Sequence, residues 1–176
     1  MRKLSESVWG DLRKKSLGQE ERIEDDVENM TSQEFYEYII DNYDIINTPN
    51  NDEMWFYSPE SDMIQIPMVY DANKYYKQID GKRYRKVFWI QIWDINHPGR
   101  FRFCISNGLI GEDKELAKRM KEEFWITNPN AFWCSIMPRN PEKPWAIGKL
   151  TKKFIIQVID FILENPYPYK PIIVRK

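Results

Sequence analysis

Residues 63–106, MIQIPMVYDANKYYKQIDGKRYRKVFWIQIWDINHPGRFRFCIS, decide the fold. At their centre Asp80-Gly81 separates two β-prone runs, 74–79 and 82–95, and this dipeptide is the strongest short hairpin signal a sequence carries. A two-residue turn there pairs Ile79 with Lys82, Lys77 with Tyr84 and Tyr75 with Lys86. In the longer run Val87, Trp89, Gln91, Trp93 and Ile95 alternate with Phe88, Ile90 and Ile92. Both sets are apolar, which predicts a central strand covered on both faces and makes the tryptophans bulky core residues. His97-Pro98-Gly99-Arg100 has Pro and Gly at the positions of a type II turn and leads into a strand at 101–106. Upstream, strands at 54–57 and 63–70 flank the Ser58-Pro59-Glu60-Ser61-Asp62 turn, and Pro67 marks the second as an edge strand or a bulged one.

On either side of this meander the pattern becomes helical. Thr31-Ser32-Gln33-Glu34 is a capping box. It opens a helix over 31–43 with Phe35, Tyr38, Ile39 and Asn42 on one stripe, ended by Thr48-Pro49-Asn50-Asn51-Asp52. Leu116, Met120 and Phe124 recur at helical spacing over 112–124. Thr151 is the expected N-cap of a third helix over 151–164, which is apolar except for a narrow stripe of Lys153, Gln157, Asp160 and Glu164. A strand is predicted over 132–137 between these two helices. Six of the eleven prolines fall in 138–171, so 138–145 and 166–171 read as extended segments, followed by an edge strand at Ile172-Ile173-Val174. Residues 1–30 form a polar arm interrupted by Gly10 and Gly18. The expected architecture is α+β: a mostly antiparallel β-meander of about five or six strands packed by two C-terminal helices, with an N-terminal helix. Residues 31–176 form one domain and 1–30 the arm.

Composition sets outer bounds. A chain of 176 residues, 42% hydrophobic and 15% aromatic, builds a core and is not a disordered polymer. Its longest apolar run, 154–163, is broken by Gln157 and Asp160, so no membrane span is expected. The first residues lack an apolar signal segment, which argues against secretion. Two cysteines make no disulfide framework, and buried reduced thiols are expected at Cys104 and Cys134. Alanine occurs only four times while Ile, Asn, Lys and Tyr abound. That bias fits an AT-rich coding sequence, as in certain bacteria and their phages, hence a cytoplasmic protein or one within a phage particle. The net charge of −1 conceals segregation: 1–19 carry +3, 20–62 carry −13, 63–110 carry +5 and 111–176 carry +4. The acidic block either lies against the basic remainder of the chain or docks a basic partner.

Catalytic signatures are weak. The single histidine, His97, opens a turn and reads as a solvent-exposed corner. There is no glycine-rich phosphate loop, no Gly-x-Ser-x-Gly elbow and no His-Glu-x-x-His helix. Gly108 and Gly111 precede a helix at a spacing too common to mark a phosphate site. Among Asp62, Asp71, Asp94 and Glu112, which flank strands, Asp94 is the best single acid, since it interrupts an apolar face at a strand end. No acid–x–Lys pair follows on an apolar strand, and Glu112-Asp113-Lys114 sits at a helix start, where acids complement the dipole. No catalytic residue, metal or cofactor is assigned.

Two features carry binding. In the arm, Trp9 is the natural anchor, with Leu12 beside it and Arg13, Lys14 and Lys15 around it. In the hairpin, Lys74, Lys77, Lys82, Arg83, Arg85 and Lys86 surround Tyr75, Tyr76 and Tyr84, a basic ribbon with aromatics of the kind that holds nucleic acid. The leading expectation is a non-enzymatic interaction or assembly protein, a bacterial or phage structural or accessory component. It docks on protein neighbours, in a homo-oligomer or a larger assembly, through its arm and segregated charge surfaces. The alternatives are a small nucleic-acid-binding accessory protein using residues 74–86, or an acidic mimic of nucleic acid that inhibits a DNA-binding protein.

Overall fold

Local capping starts each of the two apolar helices. The computed structural model describes residues 26–50, 55–77, 80–97, 99–110, 115–129, 131–166 and 168–176. Helix α1, Ser32–Asn42, begins at Thr31, whose hydroxyl accepts from the Glu34 N–H while the Glu34 carboxylate accepts from the Thr31 N–H at 2.8 Å. These bonds hold the Glu34 carboxyl below its ordinary value. The helix ends where Tyr43 turns extended and enters strand β1, Tyr43–Ile45, a strand that periodicity assigns to no element. Helix α2, Glu115–Glu123, buries Leu116, Ala117 and Met120. Helix α3, Lys152–Glu164, starts at Thr151, whose side chain accepts from the Phe154 N–H. It buries Phe154, Ile155, Val158, Ile159 and Ile162 and leaves Lys153 and Gln157 exposed. Among the described residues no helix is long and apolar enough to cross a membrane.

The sheet is antiparallel throughout its described pairings and runs in the order β2-β3-β4-β5-β7-β6, with β8 paired to β3. Its strands are β2 Phe56–Ser58, β3 Met63–Lys77, β4 Arg83–Trp93, β5 Arg102–Ser106, β6 Trp125–Thr127, β7 Trp133–Met137 and β8 Lys170–Pro171. Strand β9, Ile173–Arg175, pairs with β1 as a separate ribbon. The fold is therefore α+β as expected, with seven strands in the main sheet. The runs at 63–70 and 74–79 merge into the single strand β3, and β6 is an addition. β3 lies inside the sheet, and the strain of Pro67 is absorbed by a bulge at Met68, between the pairs Pro67 with Trp89 and Val69 with Phe88.

Register separates two unlike faces. Ile64, Ile92 and Phe103 form one cross-strand row and Ile66, Ile90, Ile105 and Cys134 the next. All are essentially buried under the helices, where Phe154 of α3 meets Phe103 edge-on at 6.3 Å and Phe124 at 5.4 Å. Each fully buried isoleucine contributes about 1.5–3 kcal/mol. The opposite face has rows Pro67–Trp89, Gln65–Gln91–Cys104–Ser135 and Met63–Trp93–Arg102. Trp89 and Trp93 are only half-buried there, with Gln91 and Cys104 buried between them, and the helix contacts among the described residues, such as Phe154 on Phe103, lie on the isoleucine face. Both thiols are free and buried, and burial raises the pKa of each.

Three further expectations give way. Residues 138–148 double back rather than extend: Arg139 bridges Ile147, and the Gly148 N–H bonds the Pro138 carbonyl at 2.8 Å. Near 166–171 the Tyr169 N–H turns back to the Pro166 carbonyl, which buries the Tyr169 ring against Phe88. The 97–100 turn closes by Arg100 N–H to His97 carbonyl at 2.8 Å, yet Gly99 lacks the positive φ of type II. At the other end of the described chain Val27 is 3% exposed and belongs to the core. The Glu28 carboxylate accepts from the Lys152 and Lys153 N–H groups at the start of α3, so residues 26–30, counted with the arm, pack on the domain.

Candidate nucleic-acid interface

The hairpin of β3 and β4 extends beyond β5, and this difference in strand length builds the site. The last residue of β5 closes the ladder with its side chain: Ser106 Oγ accepts from the Trp89 N–H at 2.7 Å and donates to the Trp89 carbonyl at 3.0 Å. Beyond that point no described strand pairs with the β5 side of β4, and a cleft of about 1140 Å³ runs along it. Lys74, Tyr75, Tyr76, Arg83 and Lys86 line its hairpin side, with Trp89, Phe132 and Trp133 at the sheet side and Phe88 over Gly108 as its floor. Phe132 is 80% exposed, and Tyr75 and Tyr76 are nearly half exposed.

The register inside the hairpin differs by one residue from the two-residue turn. Lys77 pairs with Arg83, Tyr76 with Tyr84 and Tyr75 with Arg85, because Gly81, at φ 78°, and the Lys82 N–H bond to Asp80 Oδ1 belong to a longer loop. A one-residue slip changes every cross-strand partner. Tyr75 shares a face with Arg83 and Arg85, whose guanidinium carbons lie 4.8 and 4.1 Å from its ring centre, while Tyr76 stacks on Tyr84 at 6.2 Å. Between Asp71 and Tyr75 the strand bulges, and Asn50 completes the ladder there by accepting from the Arg85 N–H at 2.7 Å and donating to its carbonyl at 3.1 Å. The Arg85 guanidinium bonds the Ala72 carbonyl and is half-buried, so it braces the bulge instead of facing a ligand. Lys82 lies at the tip, 3.9 Å from Asp80 and outside the cleft lining. The Lys77 side chain lies outside the described residues, as do Trp9, Leu12, Arg13, Lys14 and Lys15 of the arm and residues 111–114.

Sequence reading missed the sheet side of this cleft. Alternation alone assigns Trp89 to the core. The signals that point outward are Gln91 and Gln65, polar residues on the Trp89 side of neighbouring strands, which bond each other at 2.9 Å. The adjacent aromatics Phe132-Trp133, ahead of a strand, are the second signal.

One acid cluster also assembles. Asp62, Asp94 and His97 each place a ligand-type atom within 4.8 Å of the others. Asp62 is 7% exposed and its carboxylate accepts from the Asn96 N–H at 3.0 Å, with His97 Nδ1 at 3.5 Å. Asp94 lies 4.0 Å from both Arg100 and Arg102. The Asp94 N–H bonds the Asp62 carbonyl at 2.9 Å, and both aspartates take positive φ, 45° and 54°, a conformation short polar side chains tolerate. The cluster thus ties the β2–β3 turn to the end of β4, its charge balanced by two arginines. Asp71 stays apart, its carboxylate accepting from the Asn73 N–H in the bulge. Comparison with protein-family models, with curated proteins and with solved structures finds no match for this chain.

Proposed function

We propose that this protein binds single-stranded nucleic acid in the cleft beside the β3–β4 hairpin. The observation that carries the reading is the pairing of three exposed cations, Lys74, Arg83 and Lys86, with Tyr75, Tyr76, Trp89, Phe132 and Trp133 around one cleft. Cations neutralise phosphates and release counterions, while aromatic faces stack bases at about 1–3 kcal/mol each. A duplex hides its base faces, so the aromatics favour single strands. This reading takes up the alternative expectation on the strength of the cleft lining; Trp9, Leu12, Arg13, Lys14 and Lys15, on which the assembly reading rests, lie outside the described residues.

The test is a fluorescence-anisotropy titration with single-stranded and duplex oligonucleotides at two salt concentrations. Single strands bind in preference to duplex. With three phosphates engaged, log K falls with log salt at a slope of about −2, from ~0.7 per contact on single strands. The Lys74→Ala, Arg83→Ala, Lys86→Ala triple variant abolishes binding at an unchanged melting temperature. Equal binding by that variant, or no binding by the parent at low salt, refutes the proposal.

A further inference from the structure

Resting on the cleft reading, we propose that the same single strand leaves the cleft along the Trp89–Trp93 face of the sheet, its next bases passing over Trp93 and its phosphates meeting Arg100 and Arg102. Trp89, which lines the cleft, stands four residues before Trp93 on the same face of β4. At about 3.3 Å per residue that is ~13 Å, a span covered by about four nucleotides stacked at ~3.4 Å each.

The face between them is built for this occupant. The row separating the two tryptophans is uncharged, Gln65, Gln91, Cys104 and Ser135, and Gln91 and Cys104 are 8% exposed, so the half-buried tryptophan rings rather than this row offer the face to a ligand. Gln91 spends its amide on fixing its neighbours, donating to Gln65 at 2.9 Å and accepting from the Trp93 indole N–H at 3.2 Å, so the Trp93 ring is held in place before any ligand arrives. Arg102 lies over that ring at 5.7 Å and is 62% exposed, and Arg100 is 73% exposed. Both guanidinium groups stay 4.0 Å from Asp94, a spacing that anchors them on the sheet side. Cations therefore stand at both ends of the face, Lys74, Arg83 and Lys86 at the cleft and, beyond Trp93, the exposed Arg100 and Arg102, which share Asp94 as their counter-ion. A strand bridging the two ends matches cation, aromatic, neutral, aromatic, cation in turn, which is the order of groups a polyanion with planar bases needs.

The experiment measures anisotropy with labelled oligothymidylates of three and twelve nucleotides at low salt, for the parent, Trp93→Leu, and Arg102→Gln. Arg102→Gln alters only an exposed side chain and keeps the test valid if Trp93→Leu fails to fold. The expected result is that both variants bind the trimer as the parent does and bind the dodecamer about tenfold more weakly. Arg102→Gln also shows a salt slope shallower by about 0.7. If the dodecamer binds but neither variant weakens it, the extension is wrong while the cleft reading stands. If the parent binds neither oligonucleotide, both are wrong.

Discussion

At the scale of single residues, Gly108 shows how function and packing compete for one position. A Cβ built there would lie 2.0 Å from Phe88 Cε1, so the glycine is present to let the ring lie flat on the backbone as the cleft floor. Its carbonyl accepts from the Tyr169 hydroxyl at 2.9 Å, which fixes the other side of the same ring. Gly108→Ala is expected to cost about 1–3 kcal/mol in urea denaturation, the usual penalty for overpacking. Phe88→Leu in the same chain should return part of that loss, since it removes the atoms in conflict; a double variant no better than the sum of the singles would place the strain elsewhere. From sequence, Gly108 is indistinguishable from a phosphate-loop glycine, because its reason lies in a strand twenty residues earlier. The caps at Thr31 and Thr151 are legible for the opposite reason: their partners, Glu34 and Phe154, stand three residues away.

At the scale of elements, alternation identifies β4 but not the register that decides its neighbours, and it cannot see that Trp89 and Trp93 stay only half-buried. Strands β1 and β6, three residues each, are too short for a period to show and exist through pairing alone. The elements are tied by side chains remote in sequence. Tyr43, at the end of α1, donates to Asp160 of α3 at 2.6 Å, and Arg175 of β9 bonds the other carboxylate oxygen. Burial first, and then the Asp160 carboxylate, push the Tyr43 phenol well above its ordinary value. A folded-state pKa above the unfolded value of about 10 means that this contribution is complete below pH ~10 and lost as pH rises beyond it. The melting temperature should therefore drop steeply in that alkaline range, and Tyr43→Phe should flatten the drop while lowering stability near neutrality by about 1 kcal/mol. An alkaline profile parallel to the parent's would remove Tyr43 as the titrating group. The arm joins through a comparable tie. Deleting 1–25 should leave the cooperative melt near that of the parent, whereas deleting 1–30 takes away Val27 and the Glu28 cap and lowers the transition, the cap alone being worth about 0.5–2 kcal/mol. Equal melting of both truncations would show that residues 26–30 hold nothing.

On the scale of the whole molecule, the question is how a chain with −13 in residues 20–62 would tolerate the proposed single strand. Its acids are partly spent inside the fold: Glu28 caps α3, Asp44 pairs with Lys176 at 3.5 Å and Asp62 bonds Asn96. Of the rest, Glu37 and Asp41 are exposed on α1, whose buried side, Phe35 and Ile39, faces the core under the sheet. They therefore project from the helical layer, away from the Trp89–Trp93 face, whereas the cleft lies at the edge of β4 and is lined from both faces, by Trp89 on one and Phe88 on the other. A helix packed on a partner element sits about 8–10 Å from it axis to axis, and the acids point further away still. That separation matches or exceeds the Debye length of about 8 Å at physiological ionic strength, so their repulsion of a strand in the cleft is largely screened. Sequence shows the charge of Glu37 and Asp41 but not the layer from which they project, which is why these acids weigh against nucleic acid until the fold is known. Glu37→Gln with Asp41→Asn should change the affinity for a single-stranded oligonucleotide by less than about twofold at 0.15 M salt. Asp80→Asn, by contrast, removes the acid beside Lys82 at the hairpin tip and should tighten binding measurably under the same conditions. Tightening of several-fold by the α1 pair, with no effect at Asp80, would mean that the strand lies near α1 and not beside the hairpin.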